Sequence, residues 1–152
     1  MRLSKSFTLE ELTATTKKEF LKENRQEAIE NLQLIEDLAY FAEQVRAFIN
    51  VPMIITSGFR CDKLNKAVGG AKTSQHRFFR AIDFIPKGMS IDECFEKLKS
   101  SKLVYKQLIK ERSGNSEWIH VSMGYERENL IYKDGKYTKI WFTYWLELFF
   151  WF

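Results

Sequence analysis

The sequence predicts an α+β fold in which N-terminal helices pack on a mainly antiparallel sheet. Three observations point there. Ile29, Leu32, Ile35, Leu38, Ala42, Val45 and Ile49 recur every three or four residues, the spacing of a buried helix face. The second half instead carries short runs that alternate or are rich in β-branched residues. Asp134-Gly135 stands between two of those runs, Leu130 to Lys133 and Lys136 to Ile140, as a two-residue hairpin turn.

Taken in order, the chain first offers Thr8 as a helix N-cap. Glu11 three residues later completes a capping box, and Phe7 against Leu12 makes a hydrophobic staple. A short helix therefore begins at Leu9. The longer amphipathic helix follows and ends near Asn50, ahead of Val51-Pro52. Met53 to Thr56 is a short strand that stops at Ser57-Gly58. From Gly58 to Arg80 the chain is mostly loop, with Gly69-Gly70 in its middle and one helical turn near Asp62 to Lys66. Ala81 to Ile85 is the next strand, ended by Pro86. Ser90 and Glu93 frame a second capping box, and its helix runs to about Leu98. Leu103 to Lys110 fits a helix or a strand. After Ser113-Gly114-Asn115, Trp118 to Met123 alternates, which puts Trp118, His120 and Ser122 on one face and Ile119 and Val121 on the other.

At 152 residues, with 45% hydrophobic side chains, the chain suffices for one domain with a packed core, so disorder is not expected. The segment 141–152 is an atypical aromatic-rich end, too short and interrupted for a transmembrane helix. It fits either an element closing over the core or an exposed patch for a membrane surface or partner. The net charge of +4 favours anionic partners. Its basic residues are mixed with acids and form no run or recognition helix, which argues against nucleic acid. No apolar stretch near the N-terminus reads as a signal peptide, so synthesis in the cytoplasm is expected, and both Cys61 and Cys94 are expected reduced.

Both histidines of the chain fall in segments shaped like fragments of a metal site: Ser74-Gln75-His76 with Asp83 downstream, and Glu117-Trp118-Ile119-His120. Two imidazoles and one carboxylate give three protein ligands and leave a fourth position for water, the pattern of a hydrolytic zinc site. A structural zinc site would call on four ligands and usually thiolates, and there is no CxxC. With His76 on a loop entering the Asp83 strand and His120 on a neighbouring strand, one Zn2+ ion fits on the sheet face. The alternative is a pair of buried histidines satisfied by backbone carbonyls.

Ser74 through Asp83 resembles the SxHxxGxAxD signature of the zinc D-alanyl-D-alanine carboxypeptidases and related phage endolysins, a Hedgehog-like zinc peptidase family. Glu117 to His120 resembles their second signature, an acid three residues before the last ligand. Thr56 to Cys61, Leu64-Asn65 and Val68 to Ala71 look like the preceding loop of one peptidoglycan-hydrolase subgroup. The resemblance covers about Phe7 to Met123. It implies zinc ligation by His76, Asp83 and His120, catalysis by Glu117 and substrate binding by Arg60 and Ser74. It also implies hydrolysis of peptidoglycan stem peptides, with a monomer of phage or prophage origin acting on the cell wall. The alternative function is a catalytically impaired, zinc-stabilised wall-binding or phage structural module. Read from chemistry alone, Arg60 also fits a surface ion pair, Ser74 a turn, and Glu117 a solvated acid.

Two positions depart from the pattern. Phe79 stands where the signature has glycine; either the backbone there is ordinary, or the loop is rebuilt with Phe78 and Phe79 packed inward. Lys106 stands where many of the subgroup carry an acid.

Overall fold

The structure is a computed structural model that describes residues 1–140. Helix α1, Leu9–Leu12, starts at the predicted capping box: Glu11 N–H donates to the Thr8 side chain, and the Glu11 carboxylate accepts from Thr8 N–H at 2.8 Å. A 3-10 turn, Lys18–Phe20, leads into α2, Leu21–Glu30, and then α3, Leu32–Ile49. The single long helix expected from the apolar stripe is thus two. They part at Asn31, whose backbone leaves the helical region and whose side-chain amide donates to the Glu27 carbonyl at 2.9 Å. Asparagine competes for backbone groups in this way and favours helix ends. Ile29 and Leu32 are exposed, so the buried stripe begins at Ile35. Asn50 ends α3 in the left-handed region, φ 58°.

Six strands follow: β1 (Met53–Ser57), β2 (Ala81–Pro86), β3 (Gln107–Ser113), β4 (Ser116–Ser122), β5 (Glu128–Lys133) and β6 (Lys136–Lys139). Helix α4, Asp62–Ala67, and a 3-10 turn, Gln75–Phe78, lie in the β1–β2 connection, and α5, Ile91–Lys99, follows β2. Spatially the sheet runs β1-β2-β4-β3-β5-β6. The α+β class holds, but the sheet is mixed where a mainly antiparallel one was expected, because β3 and β5 pair in parallel.

The parallel pair has a local cause. The chain leaving β4 must pass the start of β3 to reach its far side. Gly124 makes that passage at φ +148°, where a Cβ would lie 2.5 Å from the Lys106 Cβ. Arg127 then locks the crossing: its guanidinium donates to the carbonyls of Leu103, Lys99 and Ser101 at 2.6, 2.9 and 2.6 Å and lies 4.6 Å from the Tyr105 ring centre. None of these long-range bonds has a signature in local spacing.

One apolar core joins α1, α3, α5 and the inner sheet face; Ile35, Leu38, Val45, Leu98, Ile119 and Val121 are fully enclosed in it. Cys61 and Cys94 are buried free thiols. Among the described residues no helix is long and apolar enough to cross a membrane. The aromatic segment 141–152 lies outside the described residues.

Of the alternatives drawn from the sequence, the ordinary backbone fails and the inward packing holds for Phe79 but not for Phe78. The Phe79 backbone is left-handed, φ 57° and ψ 34°, so the position does make the demand that glycine meets best. A β-carbon costs about 1–2 kcal/mol there. Against that cost the ring is buried and stacks on Phe59 with centroids 3.9 Å apart and planes 4° from parallel. Burying such a side chain is worth about 1.5–3 kcal/mol, enough to hold the strained backbone. Phe78, by contrast, points to solvent.

Candidate metal centre

Three side chains converge on the sheet face turned away from the helical core. Asp83 on β2 is paired with His120 on β4 by strand register, and the 3-10 turn brings His76 over them. Asp83 Oδ1 is 2.8 Å from His120 Nδ1 and 3.2 Å from His76 Nε2, and the two ring nitrogens are 3.2 Å apart. Tetrahedral ligands about 2.0–2.2 Å from one zinc ion stand about 3.3 Å from each other, so the three atoms fit a shared ion. All three residues are buried.

The neighbouring hydrogen bonds prepare the ligands. His76 Nδ1 donates to the Gly58 carbonyl at 2.7 Å, which leaves the Nε2 lone pair for the metal. Gln75 Oε1 lies 3.4 Å from His120 Nε2 and fixes the other ring in the same sense, with Nδ1 free. Gly58 can serve because it has no side chain; a Cβ there would come 2.3 Å from the Leu12 carbonyl oxygen. Burial pushes the His76 imidazole below its ordinary pKa, against the pull of Asp83, and so keeps it neutral. Burial alone would raise the Asp83 carboxyl, but its interactions with His76 and His120 outweigh it and hold it well below the carboxylate range.

Arg60 donates from Nη2 to Asp83 Oδ2 at 3.0 Å and from Nε to Ser57 Oγ at 2.8 Å. The arginine foreseen as a substrate group is therefore engaged with a ligand carboxylate, occupying the oxygen that the histidines leave free. Its loop is held from behind by buried Asn24, whose amide donates to the Phe59 and Thr13 carbonyls at 3.1 and 3.2 Å and whose oxygen accepts from Cys61 N–H at 2.7 Å. Sequence reading missed Asn24, which lies on a helix with no cue linking it to the loop. Ser74 precedes the 3-10 turn and lines the cleft.

Glu117 does not reach this group. Strand alternation puts it on the face opposite His120, exposed, with its carboxylate 3.7 Å from the Arg112 guanidinium. The acid expected to be catalytic is thus not brought to the three converging side chains, because an odd separation along a regular strand sends two side chains to opposite faces. The glutamate on the metal face that lines the cleft is Glu111. It stands opposite Trp118, one step along from the Ile109–His120 pair, and lines the cleft with both Trp118 and His120. Burial raises its pKa, the Asp83 charge adds to this, and His120, Arg60 and the Trp118 indole act in the other direction. The missed signal was the two-residue Gly114-Asn115 turn, which pairs Ser113 with Ser116 and thereby fixes Glu111 against Trp118.

The cleft around this group measures about 830 Å³ and is lined by Ser57, Arg60, Ser74 and His76 on one side and by Glu111, Trp118, Tyr132 and Tyr137 on the other. A buried His-Asp-His cluster with an acid beside it, at the floor of an open cleft, could hold a metal ion in the arrangement that metal-dependent hydrolysis requires. The Peptidase M15 family model matches residues 5–122, most of the chain, and the protein belongs to that family of zinc peptidases. No curated protein matches the chain.

Proposed function

We propose that this protein hydrolyses peptide bonds in peptidoglycan stem peptides, using one zinc ion held by His76, Asp83 and His120. The single observation that carries this reading is the half-buried Glu111 on the same sheet face as the three converging ligand atoms, in a chain of the M15 family. Zinc bound there would supply Lewis acidity and lower the pKa of a coordinated water.

The residues of the chain account for the rest. Glu111, its pKa raised by burial, takes a proton from the attacking water and delivers one to the departing amine. Trp118, paired with Glu111 across the β3–β4 ladder, acts on it in the opposite direction to burial and favours its ionised form. Arg60 keeps Asp83 charged and oriented, and its remaining donors, with the Ser74 hydroxyl, are the groups assigned to hold the substrate. Lys106 is paired with Glu126 at 3.2 Å on the rim of the same cleft. Action on the bacterial wall, as a carboxypeptidase or an endolysin-type endopeptidase of phage origin, accords with the motifs around Ser74 and Asp83.

The test is incubation of zinc-loaded protein with purified muropeptides, followed by mass analysis. New amine-bearing products that disappear with chelator support the proposal, and their masses give the bond cut. Binding to peptidoglycan with no product would instead favour a non-catalytic wall-binding module.

A further inference from the structure

The β5–β6 hairpin lies beyond residues 5–122, yet it supplies Leu130, Tyr132 and Tyr137 to the cleft. Strand register explains why. Ile109 is paired with both His120 and Leu130, and Glu111 with both Trp118 and Tyr132; Tyr132 in turn is paired with Tyr137. Side chains at paired positions share a face. The sheet therefore carries two transverse rows: Asp83, His120, Ile109 and Leu130 in one, and Trp118, Glu111, Tyr132 and Tyr137 in the next. The tyrosine rings contact each other with centroids 4.7 Å apart.

We infer that Tyr132 and Tyr137 form the subsite for the amino-acid residue on the amine side of the scissile bond. This rests on the peptidase reading above. A base that takes a proton from water and returns one to the leaving nitrogen has to come within about 2.6–3.2 Å of that nitrogen. As the C–N bond breaks, the nitrogen takes the proton from Glu111, so the residue bearing it leaves from the Glu111 side. The metal ligands occupy the side towards β2, and the tyrosines occupy the side towards β6. The acyl part thus lies towards His76 and Ser74, and the amine-side residue rests on the tyrosine pair. The rings suit a small apolar side chain, and the hydroxyls suit the peptide group or carboxylate that follows it.

The test uses the full-length, zinc-loaded protein. Wild type is first given a stem pentapeptide, and the product masses define the bond. Glu111→Gln protein is then titrated with the intact pentapeptide and, separately, with its acyl-side product, and the tyrosine ring protons are followed by NMR. Only the intact peptide is expected to shift the Tyr132 and Tyr137 signals. Adding Tyr132→Ala and Tyr137→Ala is expected to weaken its binding at least about tenfold, about 1.4 kcal/mol, while the acyl-side product binds as before. Unchanged zinc content and the ring-retaining variant Tyr137→Phe guard against a folding artefact. Equal weakening of both peptides, or no weakening of either, overturns the subsite. Wild-type cleavage with undiminished kcat/KM in the double tyrosine variant overturns the subsite and leaves the peptidase reading intact. No cleavage and no binding overturn both.

Discussion

Glu111 stands directly across the β3–β4 ladder from Trp118, on the face that carries His120. Glu117, six residues later, is on the same hairpin and on the wrong face. The two acids therefore make opposite predictions. Glu111→Gln is expected to lower kcat about 10²–10⁴-fold with zinc retained, the usual size of a general-base contribution. Glu117→Gln is expected to leave kcat within about twofold, since it removes only an exposed ion pair. Steady-state kinetics with metal analysis on both variants checks this; an inactive Glu117→Gln and an active Glu111→Gln would reverse the assignment.

Metal binding is expected to stabilise the fold directly. Wild type should carry about one zinc per chain, and His120→Ala should lose it, because among the described residues three candidate ligands converge and the variant leaves two. At a free zinc concentration one hundred times Kd, the gain is about 2.7 kcal/mol. Thermal melts with added zinc and then chelator measure it; identical melts in the two conditions would count against the site.

Arg60 is predicted to act through Asp83. Arg60→Gln removes the bond to Asp83 Oδ2 and should weaken zinc affinity about 10–100-fold, the range typical of partners that orient a ligand. Competition with a calibrated zinc chelator reads it. An unchanged affinity with a raised KM would instead assign Arg60 to substrate alone.

The metal-free protein should lose stability as pH falls. His76 has its pKa lowered by burial, so protons bind the unfolded chain first as pH drops through the ordinary histidine value of about 6.5. Asp83 is held below its ordinary value by the two histidines despite burial, so its contribution is present above about pH 4 and is lost below it. Both shifts have the same sign. Urea unfolding of chelator-treated protein between pH 8 and 3 should show a continuous decline, and a flat profile would contradict the protonation states assigned.

Phe79→Ala and Phe79→Gly separate strain from packing. Both lose the stack on Phe59 and should destabilise by about 3–5 kcal/mol. Glycine also relieves the left-handed backbone, so it should be the more stable of the two by about 1 kcal/mol. Paired denaturation curves give the difference; the reverse order would mean that the backbone at this position is not strained.

What the sequence made legible is what repeats locally. The capping box at Thr8, the strand at Ala81 and the alternation through His120 could be read because each has a short local pattern, and His76, Asp83 and His120 were legible in the two short segments that hold the histidines. The helix break at Asn31 was hidden by an apolar stripe that runs through it. The Leu103 to Lys110 run fitted two periods, and without β3 in place the partner of Trp118 was undefined, so the acid nearest in sequence was preferred to the acid nearest in space. The parallel β3–β5 pair, the Asn24 brace and the Arg127 clamp depend on contacts across 11 to 37 positions, for which short spacing carries no information.

The order of strands also divides the site. Among the described residues β6 is the outermost strand, with all four of its residues exposed, and β5 lies between it and β3. Opening that hairpin would strip Tyr132 and Tyr137 from the cleft while leaving Asp83 and His120 paired on the inner strands. Amide exchange should then resolve two classes of protection on one sheet, fast along β6 and slow along β2 and β4. Such an opening would uncover one flank of the cleft while the paired strands that carry Asp83 and His120 keep their register.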